Sequence, residues 1–116
     1  MTDPDCLFCK IAARQIPATF VHEDDEVVAF RDIAPPVPTH LVLMPRAHFA
    51  GLNDLTPELA PLVGRVALVA RDLAGQMGIA GSGWRLVANC GPDAGQTIHH
   101  LHFHLLGGAP MGARMA

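Results

Sequence analysis

Apolar and polar positions divide this chain into short strands around one long helix. Residues 6–14 are apolar-rich and predict one or two helical turns, stopped before Pro17. Residues 19–22 and 27–31 predict two strands, with Glu23-Asp24-Asp25-Glu26 as the hairpin turn between them. Residues 40–45, His-Leu-Val-Leu-Met-Pro, are almost wholly apolar, which places a third strand at the centre of a sheet. Residues 84–90 and 100–106 predict a fourth and a fifth strand, joined by the glycine-bearing loop 91–97. From Gly107 the chain reads as an irregular tail, and Pro35-Pro36-Val37-Pro38 as a rigid turn.

The long helix opens at Thr56-Pro57-Glu58. Thr56 is an N-cap type, Pro57 suits the first helical position, and Glu58 suits the positive helix end. Leu59, Leu62, Val63, Val66, Val69, Ala70, Leu73 and Met77 recur at helical spacing, and Gly78 is placed to end the run. Ala60, Gly64, Ala67 and Leu68 form a second apolar flank, which leaves only a narrow polar stripe. One sheet can cover one side of such a helix, so the other flank is expected to meet a second copy of the chain. Strands clustered around one long helix imply an α+β fold: a mostly antiparallel five-stranded sheet, one long helix and a short N-terminal helix.

A length of 116 residues suits a single domain, 1–116, with a core of its own. Half the residues are apolar and 16% are charged, which excludes a disordered chain. The net charge of −3 gives no basic footprint and argues against a nucleic-acid polymer as partner, though a single nucleotide needs none. No apolar run is long enough to span a membrane, and the acidic start Met1-Thr2-Asp3-Pro4-Asp5 is not a secretory signal. Three cysteines, an odd number, fit the reducing cytoplasm better than a disulfide framework.

The chemistry concentrates in His99-His100-Leu101-His102-Phe103-His104-Leu105-Leu106. On a strand, His100, His102 and His104 share one face, and Leu101, Phe103 and Leu105 share the other. Three imidazoles so spaced can bind metal, titrate as a coupled set, or present a nucleophile with its supporting groups. Nearer the N-terminus, Cys6-Leu7-Phe8-Cys9 has a spacing that lets two thiolates grip one metal. The plain alternative is two free thiols in a short helix.

His-φ-His-φ-His-φ-φ, with φ apolar, resembles the signature of the histidine triad family. Asp24-Asp25, Ala29-Phe30-Arg31-Asp32-Ile33, Pro38-Thr39-His40, Gly95-Gln96-Thr97 and Leu106-Gly107-Gly108 are similar to its Hint branch, the phosphoramidase group. The resemblance implies that His102 attacks a nucleotide α-phosphorus and forms a covalent nucleotidyl-histidine, which water then hydrolyses. It implies that the His100 carbonyl holds the His102 ring, that His104 contacts the phosphate, and that His40 faces the triad. It places Gly95, Gln96 and Thr97 around the phosphate, with Thr97 near the leaving amine. Asp32 falls on the ribose, Phe30 and Ile33 beside the base, and Asn89 on the sugar-phosphate. The chemistry itself needs no cofactor.

The cysteine pair resembles that of bacterial relatives and of galactose-1-phosphate uridylyltransferases, in which two histidines complete the ligand set. The matching positions are His48 and His100. A site of Cys6, Cys9, His48 and His100 would hold a structural zinc, closed to substrate. Two departures bear on the leaving group: His99 stands where an aromatic or apolar residue is usual, and the tail after Gly108 lacks an aromatic residue. The implied activity is a purine nucleoside phosphoramidase taking AMP-type substrates. The alternatives are a dinucleoside polyphosphate hydrolase and a non-catalytic nucleotide- or zinc-binding regulatory module.

Overall fold

A computed structural model describes residues 3–32 and 37–112. Ile33 and Pro35-Pro36 of the proline turn lie outside the described residues. The elements run α1 (Leu7–Ala12), β1 (Phe20–Glu23), β2 (Val27–Arg31), β3 (Thr39–Pro45), α2 (Ala60–Gln76), β4 (Trp84–Val87) and β5 (Phe103–Gly107). The five strands form one antiparallel sheet in the order β1-β2-β3-β5-β4, so the apolar strand β3 is central, as its composition predicts.

Each strand sends alternate side chains to opposite faces. Val27, Ala29, Leu41, Leu43, Phe103 and Leu105 pack with Val66, Val69, Ala70 and Leu73 of α2. Val28, Phe30, Val42 and Met44 point the other way and pack with Phe8 and Ile11 of α1. The short α1 covers this second face only in part, and the uncovered part is the floor of a cleft. Among the described residues no helix is long and apolar enough to cross a membrane.

Helix α2 begins at Ala60, three residues later than the sequence predicts. Residues 57–59 form a turn that Thr56 closes: its Oγ1 accepts from Leu59 N (3.3 Å) and its carbonyl from Ala60 N (2.9 Å). Pro61, which has no N–H to lose, occupies the first turn proper. Gly78, at φ +74°, ends the helix in the left-handed conformation. The flank of Ala60, Gly64, Ala67 and Leu68 is exposed.

In the acidic turn Glu23, Asp25 and Glu26 are exposed, and Asp24 ties the turn together. Asp24 accepts from the backbone N–H of Glu26 and Val27, each at 2.8 Å, and its second oxygen meets His22 (2.7 Å) and Arg65 of α2 (2.6 Å). Burial alone would raise the Asp24 carboxyl; these partners outweigh it and bring the group down to about 2.

Several strand boundaries differ from expectation. β1 runs one residue later, Phe20–Glu23, β3 starts one residue earlier at Thr39, and β4 stops at Val87 instead of Cys90. β5 starts at Phe103 instead of His100, so His100 and His102 precede the ladder. The alternation nevertheless persists, with Leu101, Phe103 and Leu105 buried in the α2 core. In place of ladder bonds, Leu101 N donates to Phe49 O (2.8 Å), and the His100 carbonyl is free to take a side-chain donor.

Candidate active site

The cleft has a volume of about 960 Å³. One wall is Leu7, Phe8 and Ile11 of α1; the floor is Phe30, Asp32, Val42, His102 and His104; the far rim is Asn89 and Gly95 to Ile98. The predicted residues Phe30, Asp32, Asn89, Gly95, Gln96, Thr97, His102 and His104 thus all line one cleft. His100 does not. It is fully buried beside the cleft, and its ring turns toward the N-terminal cysteines. The three histidines therefore serve two neighbouring sites, because the chain bends ahead of β5.

The His102 ring is set by its backbone neighbour. Its Nδ1 lies 2.7 Å from the His100 carbonyl oxygen, which can only accept, so Nδ1 carries the proton and donates. In the neutral ring this leaves the Nε2 lone pair available, as nucleophilic attack requires. The Phe8 ring stands edge-on to His102, centroids 4.9 Å apart at 86°.

His104 sits opposite Val42 in the register, and its diagonal neighbour on β3 is His40. His40 Nε2 and His104 Nδ1 are 2.7 Å apart, and Asp32 Oδ2 lies 3.6 Å from His40 Nε2. His40 Nδ1 is buried with no hydrogen-bond partner among the described residues. A buried N–H without an acceptor costs more than a buried lone pair, so the His40 proton belongs on Nε2. It then donates to His104 Nδ1, and His104 presents Nε2–H as a donor. Burial lowers His104 to about 4, helped by the neighbouring His102 and His40 and opposed by Asp32. Burial also lowers His40, again opposed by Asp32. Both shifts favour neutral rings at pH 7, which makes His104 a neutral donor beside His102.

Thr97 is exposed on the rim, where a leaving group could reach its hydroxyl. Gln96 lines the cleft, and its side chain has a task that the sequence did not show. Its Oε1 accepts from Gly91 N (2.9 Å), and its Nε2 donates to Ala50 O (2.6 Å) and Ile98 O (3.1 Å). The carboxamide is committed to holding the loop. Gly91 and Gly95, at φ +87° and +80°, let that loop turn tightly around the short 3-10 segment Pro92–Ala94.

Behind the cleft, donor atoms of Cys6, Cys9, His48 and His100 all lie within 4.8 Å of one another. The two Nδ1 atoms are 3.2 Å apart; Cys6 Sγ–His100 Nδ1 and Cys9 Sγ–His48 Nδ1 are both 3.4 Å, and Cys9 Sγ–His100 Nδ1 is 3.5 Å. A tetrahedral ion with ordinary Zn–S and Zn–N bonds sets these edges at roughly 3.4 Å for N···N and 3.6 Å for N···S. His100 Nε2 donates to Pro45 O (2.8 Å), which fixes the tautomer that turns the Nδ1 lone pair inward. Asp3 stands 3.8 Å from His48 Nε2 as an outer carboxylate. The donor set fits a metal ion, and with four protein ligands it leaves no open position.

Sequence reasoning missed the wall that α1 contributes. Leu7, Phe8 and Ile11 read as ordinary helix residues. The available signal was a six-residue helix too short to stand by itself, carrying more large apolar groups than its one buried face needs.

Comparison with known proteins places this arrangement. The family described as "Scavenger mRNA decapping enzyme C-term binding" matches residues 5–115. The chain is 43% identical over 112 residues to the "Purine nucleoside phosphoramidase" of Escherichia coli K12, covering 97% of this chain and 94% of that one. Among solved structures, a HIT family hydrolase from Legionella pneumophila superposes with a TM-score of 0.92 at 45% identity, covering 94% of this chain and 97% of that one. A HIT family hydrolase from Clostridium thermocellum superposes at 0.96 and 41% identity, covering 99% of this chain and all of that one.

Proposed function

The chain belongs to the histidine triad family, and from that premise we propose that it is a purine nucleoside phosphoramidase working through a nucleotidyl-His102 intermediate. The observation that carries the reading is the Nδ1 bond of His102 to the His100 carbonyl, which leaves a ring nitrogen as nucleophile in a cleft of about 960 Å³. Its 43% identical relative is named for this activity.

The base lies between Phe30 and the α1 wall, and Asp32 accepts from the ribose hydroxyls. Gly95 N and Gln96 N donate to Pro92 O and Gly91 O and so shape the loop, leaving Asn89 and the N–H and hydroxyl of Thr97 to hold the sugar-phosphate. His102 Nε2 attacks the α-phosphorus as the P–N bond breaks. The bonding pair leaves with the nitrogen, which takes the Thr97 hydroxyl proton as that hydroxyl takes one from solvent water, and departs as the amine. His104 Nε2–H donates to a phosphoryl oxygen as charge develops there, aligned by His40. Water then attacks phosphorus, the N–P bond returns its electrons to His102, and the nucleoside monophosphate leaves.

The ion we assign to Cys6, Cys9, His48 and His100 is zinc, by donor type and edge lengths. It supplies cross-linking and no chemistry. We also assign a cytoplasmic homodimer. The apolar flank of α2 is exposed and β4 is an edge strand, and these are the surfaces we assign to the contact with a second copy.

The test is incubation with adenosine 5′-phosphoramidate. AMP released by the wild type and not by His102→Gly, with AMP binding retained, is the expected result. Full activity in that variant overturns the mechanism, and cleavage of dinucleoside polyphosphates alone reassigns the substrate.

A further inference from the structure

The metal cluster and the cleft share a wall. Phe8 stands between the two cluster cysteines, in Cys6-Leu7-Phe8-Cys9, and is only 5% exposed. Its ring meets three others edge-on: His102 at 4.9 Å, Phe30 at 5.6 Å and His100 at 6.1 Å. One of these is the nucleophile, one lines the floor of the cleft, and one is a cluster ligand.

Helix α1 has six residues, far fewer than a helix needs to be stable unaided, so its position depends on its anchors. At the C-terminal end, Arg46 Nη1 donates to Ala12 O (3.2 Å). At the N-terminal end the anchor is the cluster itself: Cys6 caps the helix, its Sγ accepting from Cys9 N (3.4 Å), and both thiols face His48 and His100. An ion that draws these four groups together fixes the first turn of α1, and with it the Phe8 ring against His102 and the cleft.

We propose that Phe8 is a positioning residue through which metal occupancy of the cluster sets nucleotide affinity in the cleft. The proposal rests on the reading of the cleft as a nucleotide site. By linkage, if the ion tightens nucleotide binding, nucleotide tightens ion binding by the same factor.

The experiment needs no turnover. Co²⁺ is titrated into reduced, metal-free protein and followed by its thiolate absorption, with and without saturating AMP. Calorimetry measures AMP binding to the metal-free and Co²⁺-loaded forms. The wild type is expected to bind Co²⁺ about tenfold more tightly with AMP, within the usual range for coupled sites. Phe8→Leu is expected to bind both ligands but to bring the factor close to one. Leu7→Ala, which alters the same wall without touching a ring contact, is expected to keep it. A wild-type factor near one overturns the proposal. So does a full factor in Phe8→Leu, the outcome if AMP merely stabilises the fold as a whole. Absence of AMP binding to the loaded wild type rejects the nucleotide reading itself, and the proposal with it.

Discussion

Replacing Gln96 by alanine separates a loop-holding role from a substrate contact. The carboxamide makes three hydrogen bonds to backbone: one from Gly91 N, one to Ala50 O and one to Ile98 O. Each contributes about 0.5–1.5 kcal/mol net, and the site is half-buried, so water can replace part of what is lost. The expected destabilisation is about 2 kcal/mol, read as a fall in the urea midpoint at unchanged slope. The loop then loses its tie to the segment before residue 51, so KM rises more than kcat falls. Gln96→Glu sharpens the test. Its carboxylate can still accept from Gly91 N, but it sets negative charge against the two carbonyls, and it is expected to be at least as unstable as the alanine variant. An unchanged urea midpoint together with lost AMP binding would falsify this reasoning, because it would mean that the amide works on the ligand and not on the loop.

Other perturbations follow from the same geometry. His104 sits at about 4 against a usual 6.5, so between those values the unfolded chain binds the extra proton; stability is full above pH 6.5 and falls as pH drops toward 4, by up to about 3 kcal/mol, checked by urea unfolding from pH 7.5 to 4.5 in wild type and His104→Asn. Asp24 has the opposite ordinary charge but the same sign of dependence. Its carboxyl is held at about 2 against 3.8, so its contribution is present above pH 4 and lost as pH falls toward 2, and Asp24→Asn is expected to cost about 2 kcal/mol at pH 7. Chelation of the cluster metal under reducing conditions is expected to lower the thermal midpoint by at least about 10 °C, as for an ion held well above its dissociation constant; an unchanged midpoint would reject a structural metal. Gly95→Ala, which forces a side chain into φ +80°, is expected to weaken AMP binding with little change in the Co²⁺ affinity of the cluster.

The parts of the fold written in short-range pattern were legible, and the parts set by packing between distant segments were not. Strand β3 could be placed at the sheet centre because an unbroken apolar run has to be covered on both faces. The helix could be seen but not its first residue, because Thr56 makes the same hydrogen bonds whether it caps a helix or closes the turn before one. The triad shows the limit most clearly. Period-two spacing correctly sends Leu101, Phe103 and Leu105 to one side, yet it cannot say that the ladder starts only at Phe103 or that His100 turns away from its two companions. That turn depends on residues far away in the chain: Cys6 and Cys9, 94 and 91 positions earlier, face the His100 ring, and Pro45 O, 55 positions earlier, fixes its tautomer. The consequence is chemical. A histidine wholly committed to the cleft would supply a third titrating group near the phosphate. A histidine whose side chain faces the cluster supplies instead a carbonyl, and that carbonyl holds Nδ1–H of His102 and leaves its other nitrogen with the lone pair.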